Sequence, residues 1–328
     1  MMTGTHSDHV ICYTTDINFL LPSIFSAKSV RQFVAKDKIN IHIILFHDKT
    51  DDYDFKGISA KLAEDNIFLQ LTTPDFYKNV DTSIFQKGHV PIASVGRFFL
   101  CDLLPEQYQH IIYLDGDTWV NQDPSALIFK QWPENKVAFI DDYSSFEGRL
   151  RPAKFQKYWD KIGKAKLDNY FNAGIFASRR DTWKQISEEA FQFLVEHPEK
   201  CQYHDQSALN AVVKERRVQL SLKWNFQTNY KFLYLDKDIS PVIYHFTRSP
   251  KAWEGAAFPW SEQYHQILPV KQEFAQFDLP LKSIDDARVQ QINTDRHKQT
   301  MVFKNWLMRK IIRFFTGIDR YEKTSFKL

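Results

Sequence analysis

The chain has 328 residues, 43% hydrophobic and 25% charged, enough to bury one large core without help from disulfides. Its three cysteines, Cys12, Cys101 and Cys201, are far apart and show no CxxC spacing, which argues against a disulfide framework and against a structural zinc site. Lys and Arg (43) nearly balance Asp and Glu (40), yet the residues from Arg296 onward carry a net +7, so the body is mildly acidic and nucleic acid is not its expected ligand.

Met1 to Val10 is polar, and the apolar run behind it is too short for a signal sequence or a membrane span, so a cytoplasmic protein is expected. Short β-rich runs then alternate with amphipathic segments. Strands are expected at His9–Thr14, Ile39–His47, Ile67–Leu71, His110–Leu114, Val137–Ile140, Phe171–Ala177 and Val242–Phe246, and helices at Leu21–Ala35 and Trp183–Val195. This order predicts an α/β, Rossmann-like domain with a mostly parallel sheet covered by helices on both faces. In such a sheet, ligands sit beyond the carboxyl ends of the strands. We divide the chain into a catalytic domain at 1–265 and a small helical, basic C-terminal region at 266–328.

The turn after the first strand reads Thr14-Thr15-Asp16-Ile17-Asn18, where a dinucleotide fold would show G-x-G-x-x-G. Without a glycine cradle, a bound diphosphate needs its charge neutralised another way, most simply by a divalent metal. Asp16 and Asn18 have two readings: partners of a base or ribose, or an Asx-turn that starts the next helix.

The run His110 to Leu114 stops at Asp115-Gly116-Asp117, which places two carboxylates at the end of a central strand. Gly116 leaves the backbone open between them. Hard oxygen ligands at this spacing suit Mg²⁺ or Mn²⁺, with phosphates completing the shell; a solvated turn is the alternative. Further along, Tyr170-Phe171-Asn172-Ala173-Gly174 offers small residues that let a sugar approach the backbone. Asp205 and Gln206 in His204-Asp205-Gln206-Ser207 read equally as a functional pair or as a helix cap. A last strand ends at His245, followed by Arg248 and Lys251. An imidazole beside carboxylates tilts the preference toward manganese, and the two cations are candidates for phosphate oxygens.

Taken in order, Thr15-Asp16 with Asn18, Arg97 on a helix, Tyr-Leu-Asp-Gly-Asp at 113–117, Phe-Asn-Ala-Gly at 171–174, Asp205-Gln206 and His245 with Lys251 and Trp253 resemble glycosyltransferase family 8. Within that family the resemblance is to bacterial lipopolysaccharide galactosyl- and glucosyltransferases, and it runs from about Val10 to about Trp253. It implies a GT-A nucleotide-sugar fold with a mixed, mostly parallel sheet and a retaining hexosyl transfer from UDP-galactose or UDP-glucose. It also implies Mn²⁺ on Asp115, Asp117 and His245, with Mg²⁺ as the alternative ion. Asp16, Asn18 and Arg97 would help hold the uridine and donor, and Asn172, Ala173 and Asp205 would contact the transferred sugar. Gln206 matches the position near the reacting carbon, on the face opposite UDP. Because an amide is a poor nucleophile, a front-face displacement assisted by the leaving diphosphate is expected, with Lys251 steadying the departing charge.

The chain departs from the family pattern at Arg248, where Gly is usual, at Ala252, where Pro is usual, and at Ser207, where many members have Asp. These departures leave the donor sugar open. Other acceptors, such as a capsule, a glycoprotein or the protein's own tyrosine, and a non-catalytic sugar-nucleotide binder are the competing functions.

In the tail, Phe303, Trp306, Leu307, Ile311, Phe314 and Phe315 share one helical face, with Lys304, Arg309 and Arg313 on or near the other. This pattern predicts a helix lying on an anionic membrane surface, which suits a peripheral enzyme on the inner face of the cytoplasmic membrane that acts on a lipid-linked saccharide. The alternative is a helix packed on the body with its basic face in water.

Overall fold

The structure, a computed structural model, describes residues 7–47, 49, 52–73, 92–163 and 170–328. Its strands are β1 (His9–Thr15), β2 (Asn40–Phe46), β3 (Ile67–Thr72), β4 (His110–Leu114), β5 (Thr118–Val120), β6 (Val137–Asp141), β7 (Phe171–Arg179), β8 (Arg217–Gln219), β9 (Phe226–Gln227) and β10 (Ile243–His245). Seven form the main sheet in the order β3-β2-β1-β4-β7-β6-β8. β1, β2, β3 and β4 are mutually parallel, whereas β7 runs antiparallel to both β4 and β6.

β1 explains why both faces of this sheet are covered. All seven of its residues are buried, and successive side chains enter different cores. Ile11 and Tyr13 pack with Leu20, Ile24 and Phe25 of the helix Ile17–Arg31. Val10 and Cys12 pack with Phe98, Leu100, Trp183 and Ile186 on the opposite side. A run of apolar residues that fills both faces of a strand, here Val10 to Tyr13, is stable only between two apolar layers. Helix Ile17–Arg31 begins four residues earlier than expected because Asp16 caps it, accepting from the Asn18 and Phe19 backbone N–H groups at 2.9 and 3.1 Å. Helix Arg180–Glu196 covers the other helix expected from sequence.

The strand expected at Val242–Phe246 forms as Ile243–His245, but outside the main sheet. It pairs antiparallel with β5 and parallel with β9 in a separate three-stranded sheet. Its origin is local: the chain leaves β4 through the turn at residues 115–117, and β5 is drawn onto helix Ile17–Arg31. There Thr118 Oγ1 lies 2.7 Å from Ser26 Oγ, and the Val120 N–H donates to Ser29 Oγ at 2.9 Å.

The expected domain boundary at 265/266 falls inside the continuous helix Ser261–Glu273. The last helix, Ile318–Thr324, is part of the main core. Tyr321 is buried there; its hydroxyl donates to Leu220 O at 2.6 Å and accepts from the Asp141 N–H at 3.0 Å. Before it, helix Trp306–Thr316 turns its charge the opposite way from the packed alternative. Arg309 is buried and pairs with Asp238 at 2.7 Å, and Arg313 pairs with Asp319 at 2.6 Å, so these cations face protein. Its apolar side chains face outward instead, with Phe314 74% and Phe315 65% exposed alongside Trp306, Leu307 and Ile311. No helix among the described residues is long and apolar enough to cross a membrane.

His42 on β2 makes the fold sensitive to acid. Burial pushes its imidazole down to about 4, and the Tyr108 hydroxyl lies 3.2 Å from its Nε2. Below about pH 6.5 an unfolded chain protonates this ring while the folded one does not. Stability is therefore lost as pH falls from there to about 4, by about 3 kcal/mol at most. His42→Gln should remove this loss; identical pH dependence of urea unfolding in wild type and variant would contradict it.

Candidate functional site

Strand registers build the site at the carboxyl edge of β4. Asp115 and Asp117 follow that strand. Because β7 is antiparallel, its first residues, Asn172, Ala173 and Gly174, lie at the same edge, and the Asp115 N–H donates to Gly174 O at 2.7 Å. In the second sheet His245 pairs with Thr118, and the Phe246 N–H donates to Asp117 O at 2.8 Å. The expected ligand trio is thereby assembled from two sheets. His245 Nε2 is 3.1 Å from Asp117 Oδ1 and 3.8 Å from Asp115 Oδ2, and one ligand atom from each residue lies within 4.8 Å of the others.

Two carboxylates and an imidazole nitrogen are a suitable donor set for a divalent cation of the Mn²⁺ or Mg²⁺ class. Gly174 keeps the place open, since a Cβ there would stand 2.4 Å from His245 Cε1 and 2.5 Å from Asp115 Oδ2. Gly116 has a second steric role: a Cβ would meet Ser23 Oγ at 2.4 Å. Burial pushes the Asp117 carboxyl up, but the Lys251 ammonium, 2.7 Å away, and His245 outweigh it and hold the group well below the usual carboxylate range.

Arg97 opens a short 3₁₀ turn, Arg97–Phe99, and is 3% exposed. Its guanidinium bridges Asp115 (2.9 Å) and Asp205 (3.2 Å) and donates to Ala173 O at 2.6 Å. Burial alone would lower its pKa, and the two carboxylates reverse that. Burial drives Asp205 up to about 6 against the pull of Arg97. Tyr113, two residues before Asp115, donates its hydroxyl to Asp115 Oδ1 at 3.0 Å.

Gln206 lies in the first turn of helix His204–Val212. Its Oε1 accepts from the Ala173 N–H at 3.0 Å and from Asn172 Nδ2 at 3.2 Å, and its Nε2 donates to the Tyr170 hydroxyl at 3.0 Å. Both acceptor directions of this amide oxygen are occupied.

Two cavities meet at the carboxylates. One, about 580 Å³, is lined by Thr14, Thr15, Asp16 and Arg97 together with Asp115, Gly116 and Asp117. The other, about 1060 Å³, holds Asn172, Gln206, His245 and Arg248 and shares Asp115 and Asp117 with the first. Most of the residues singled out from sequence thus converge. Asn18 is exposed and lines neither cavity. Asp205 faces Arg97, and Lys251 faces Asp117 and the Phe246 carbonyl. Of the three departures from the family pattern, Arg248 is exposed on the larger cavity and Ala252 is buried. Ser207 is buried too, 2.7 Å from the Tyr158 hydroxyl. Sequence reasoning quoted Tyr113 only as part of a motif, and missed Asp142, Tyr143 and Gln227, which line the larger cavity, and Asn225, 2.9 Å from His245 Nδ1. Tyr113 stood inside the recognised strand, and alternation should have marked it as sharing a face with Asp115; the other four carry no motif.

Comparison with known proteins agrees with this architecture. The galactosyltransferase LgtC, solved with donor and acceptor sugar analogs, superposes with a TM-score of 0.61 at 20% identity, covering 85% of this chain and 98% of that one. This likeness establishes the GT-A fold with its mixed, mostly parallel sheet. In sequence the chain is 27% identical over 223 residues to general stress protein A of Bacillus subtilis (strain 168), covering 61% of this chain and 74% of that protein. It is 24% identical over 279 residues to lipopolysaccharide 1,2-glucosyltransferase of Escherichia coli (strain K12), covering 78% and 76%. The family model described as Glycosyl transferase family 8 matches residues 10–257, the stretch that builds both sheets and both cavities, and the chain belongs to that family.

Proposed function

We propose that this glycosyltransferase is a retaining, metal-dependent enzyme that moves galactose or glucose from a UDP-sugar to a core saccharide of lipopolysaccharide or lipooligosaccharide. The observation that carries the reading is the junction of two cavities at Asp115 and Asp117. A donor would place its nucleoside in the smaller cavity beside Thr15 and Asp16, its diphosphate at the carboxylates, and its sugar toward Asn172, Ala173 and Gln206. The acceptor then enters through the larger opening past Arg248. The resemblance to a lipopolysaccharide 1,2-glucosyltransferase supports the acceptor class, and with a galactosyltransferase among the proteins of like fold, glucose and galactose are the donors to compare.

Asp115, Asp117 and His245 would hold the cation, with Mn²⁺ favoured over Mg²⁺ by the imidazole. When bound, it supplies positive charge to the diphosphate and eases its departure. Lys251, already at Asp117, is placed to steady the same leaving charge, and Arg248 offers a second cation on the acceptor side. Arg97 sets the orientation of Asp115 and, by engaging Ala173 O, the start of β7. With both lone-pair directions of its oxygen occupied, Gln206 is a poor nucleophile, which favours front-face attack by the acceptor hydroxyl. Purified protein given Mn²⁺, a core acceptor and either donor is expected to release UDP; no release with UDP-galactose or with UDP-glucose overturns the reading.

The outward apolar face of helix Trp306–Thr316 supports peripheral membrane attachment on the cytoplasmic side, where a lipid-linked acceptor is presented. With Arg309 and Arg313 engaged by the protein, insertion of Trp306, Leu307, Ile311, Phe314 and Phe315 contributes more than charge does. Flotation with anionic vesicles should accordingly survive moderate salt and fall sharply for Phe314→Ser/Phe315→Ser; unchanged flotation of that double variant contradicts the assignment.

A further inference from the structure

Behind the carboxylates lies a chain of amides whose innermost member, Asn225, no motif announced. Asn225 is fully buried between the turn Leu222–Trp224 and β9, whose parallel pairing with β10 sets Gln227 beside His245. Asn225 Oδ1 is 2.9 Å from His245 Nδ1, and Asn225 Nδ2 is 2.9 Å from Asn172 Oδ1.

The direction of every bond in this chain follows from two backbone donors. The Gly174 N–H lies 3.0 Å from one Asn172 side-chain atom, which must therefore be the oxygen. The Ala173 N–H lies 3.0 Å from one Gln206 side-chain atom, which must be the oxygen for the same reason. Asn172 Nδ2 then donates to Gln206 Oε1 and to the Asp142 carboxylate. Asn172 Oδ1, an acceptor only, requires Asn225 to present its NH₂ there, so the Asn225 oxygen must face the imidazole and accept from Nδ1–H. With Nδ1 holding a proton, Nε2, the nitrogen 3.1 Å from Asp117, is the one whose lone pair a cation would use.

We infer that Asn225 is a positioning residue for the metal site: it selects the Nδ1–H tautomer of His245 and aims Nε2 at the cation. Through Asn172 the same chain orients the Gln206 amide, so that the cation ligand and the reaction-face amide share one scaffold. Outer-shell partners of ligating histidines typically contribute about 10–100-fold to metal affinity. This inference rests on the proposed cation role of Asp115, Asp117 and His245.

The test is Mn²⁺ binding to the full chain with UDP present, followed by electron paramagnetic resonance. Asn225→Ala is expected to weaken binding by about 10–100-fold. Asn225→Asp keeps an oxygen facing Nδ1 while losing the bond to Asn172 Oδ1, and is expected to bind Mn²⁺ more tightly than Asn225→Ala, a partial rescue that a purely space-filling role would not produce. Wild-type affinity in Asn225→Ala, with affinity lost in His245→Ala, overturns the inference alone. Absence of Mn²⁺ binding by the wild type overturns the metal reading itself. If the Asn225 variants do not fold, nitrogen-15 spectra of histidine-labelled wild type with Zn²⁺ and UDP decide the matter. The His245 signals, assigned with His245→Gln, should show a proton on Nδ1 and metal at Nε2, and the reverse assignment overturns the inference.

Discussion

Asp117→Asn is expected to lower turnover by on the order of a thousandfold, the equivalent of about 4 kcal/mol of transition-state stabilisation. The substitution keeps the shape of the side chain and removes its charge, leaving the Lys251 ammonium at 2.7 Å and the His245 ring at 3.1 Å without their carboxylate. Cation affinity should fall with it, because an amide oxygen is a weaker ligand than a carboxylate. Asp115→Asn should behave similarly and should also free one arm of Arg97. Initial rates over a Mn²⁺ titration at saturating donor check both variants. Turnover within tenfold of wild type at high Mn²⁺ would show that these carboxylates are not the charge that supports the diphosphate.

Arg97→Met should destabilise the metal-free protein by about 3–5 kcal/mol, because it strands two carboxylates that share one buried cation. Asp205 is the more exposed to this loss, being 7% accessible and already pushed up to about 6 by burial. A carboxyl whose folded pKa is raised contributes stability at low pH, and that contribution is lost as pH rises through the folded value. Removing the Arg97 charge raises Asp205 further, so the deficit of the variant should shrink as pH is lowered from about 8 to about 5. Urea unfolding across this range measures it. A loss under about 1 kcal/mol, or one that grows in acid, would mean that Arg97 is not the counter-charge holding Asp115 and Asp205 together.

Both expectations start from residues visible in the sequence, and they differ in how much of their physics was visible there. Apolar runs of strand length located β1, β2, β3, β4, β6 and β7 within a few residues, since strands packed between two layers need apolar side chains on both faces; β3, at the sheet edge, is only partly buried and still carries Ile67, Leu69 and Leu71. The Asp115-Gly116-Asp117 turn was legible because polar residues abruptly end such a run. The short strands β5, β8 and β9 were not legible: two or three residues carry no periodicity, and they form where tertiary partners meet them, β5 on Ser26 and Ser29, β8 beside β6 and β9 beside β10.

The C-terminal helix divides in the same way. Its apolar face was evident from 3.6-residue spacing. That Arg309 and Arg313 turn inward to Asp238 and Asp319, leaving the apolar face to the outside, depends on partners distant in sequence or beyond the helix end. Asp16 was ambiguous from sequence; the structure shows it capping a helix, at a place where it also lines a cavity.

By itself, the sequence determined the α/β class, the order of the main strands and most of the residues that became candidates for the site, because strand burial and motif spacing are local properties of the chain. Only the tertiary structure decided that β7 runs antiparallel, which carries Asn172, Ala173 and Gly174 to the edge where β4 ends. It alone placed His245 in a second sheet against Asp117, buried Asp205 against Arg97 and set Asn225 behind the imidazole. Those relations join residues tens to more than a hundred positions apart, and they follow from strand direction, register and the need to satisfy buried polar groups, which no local pattern records.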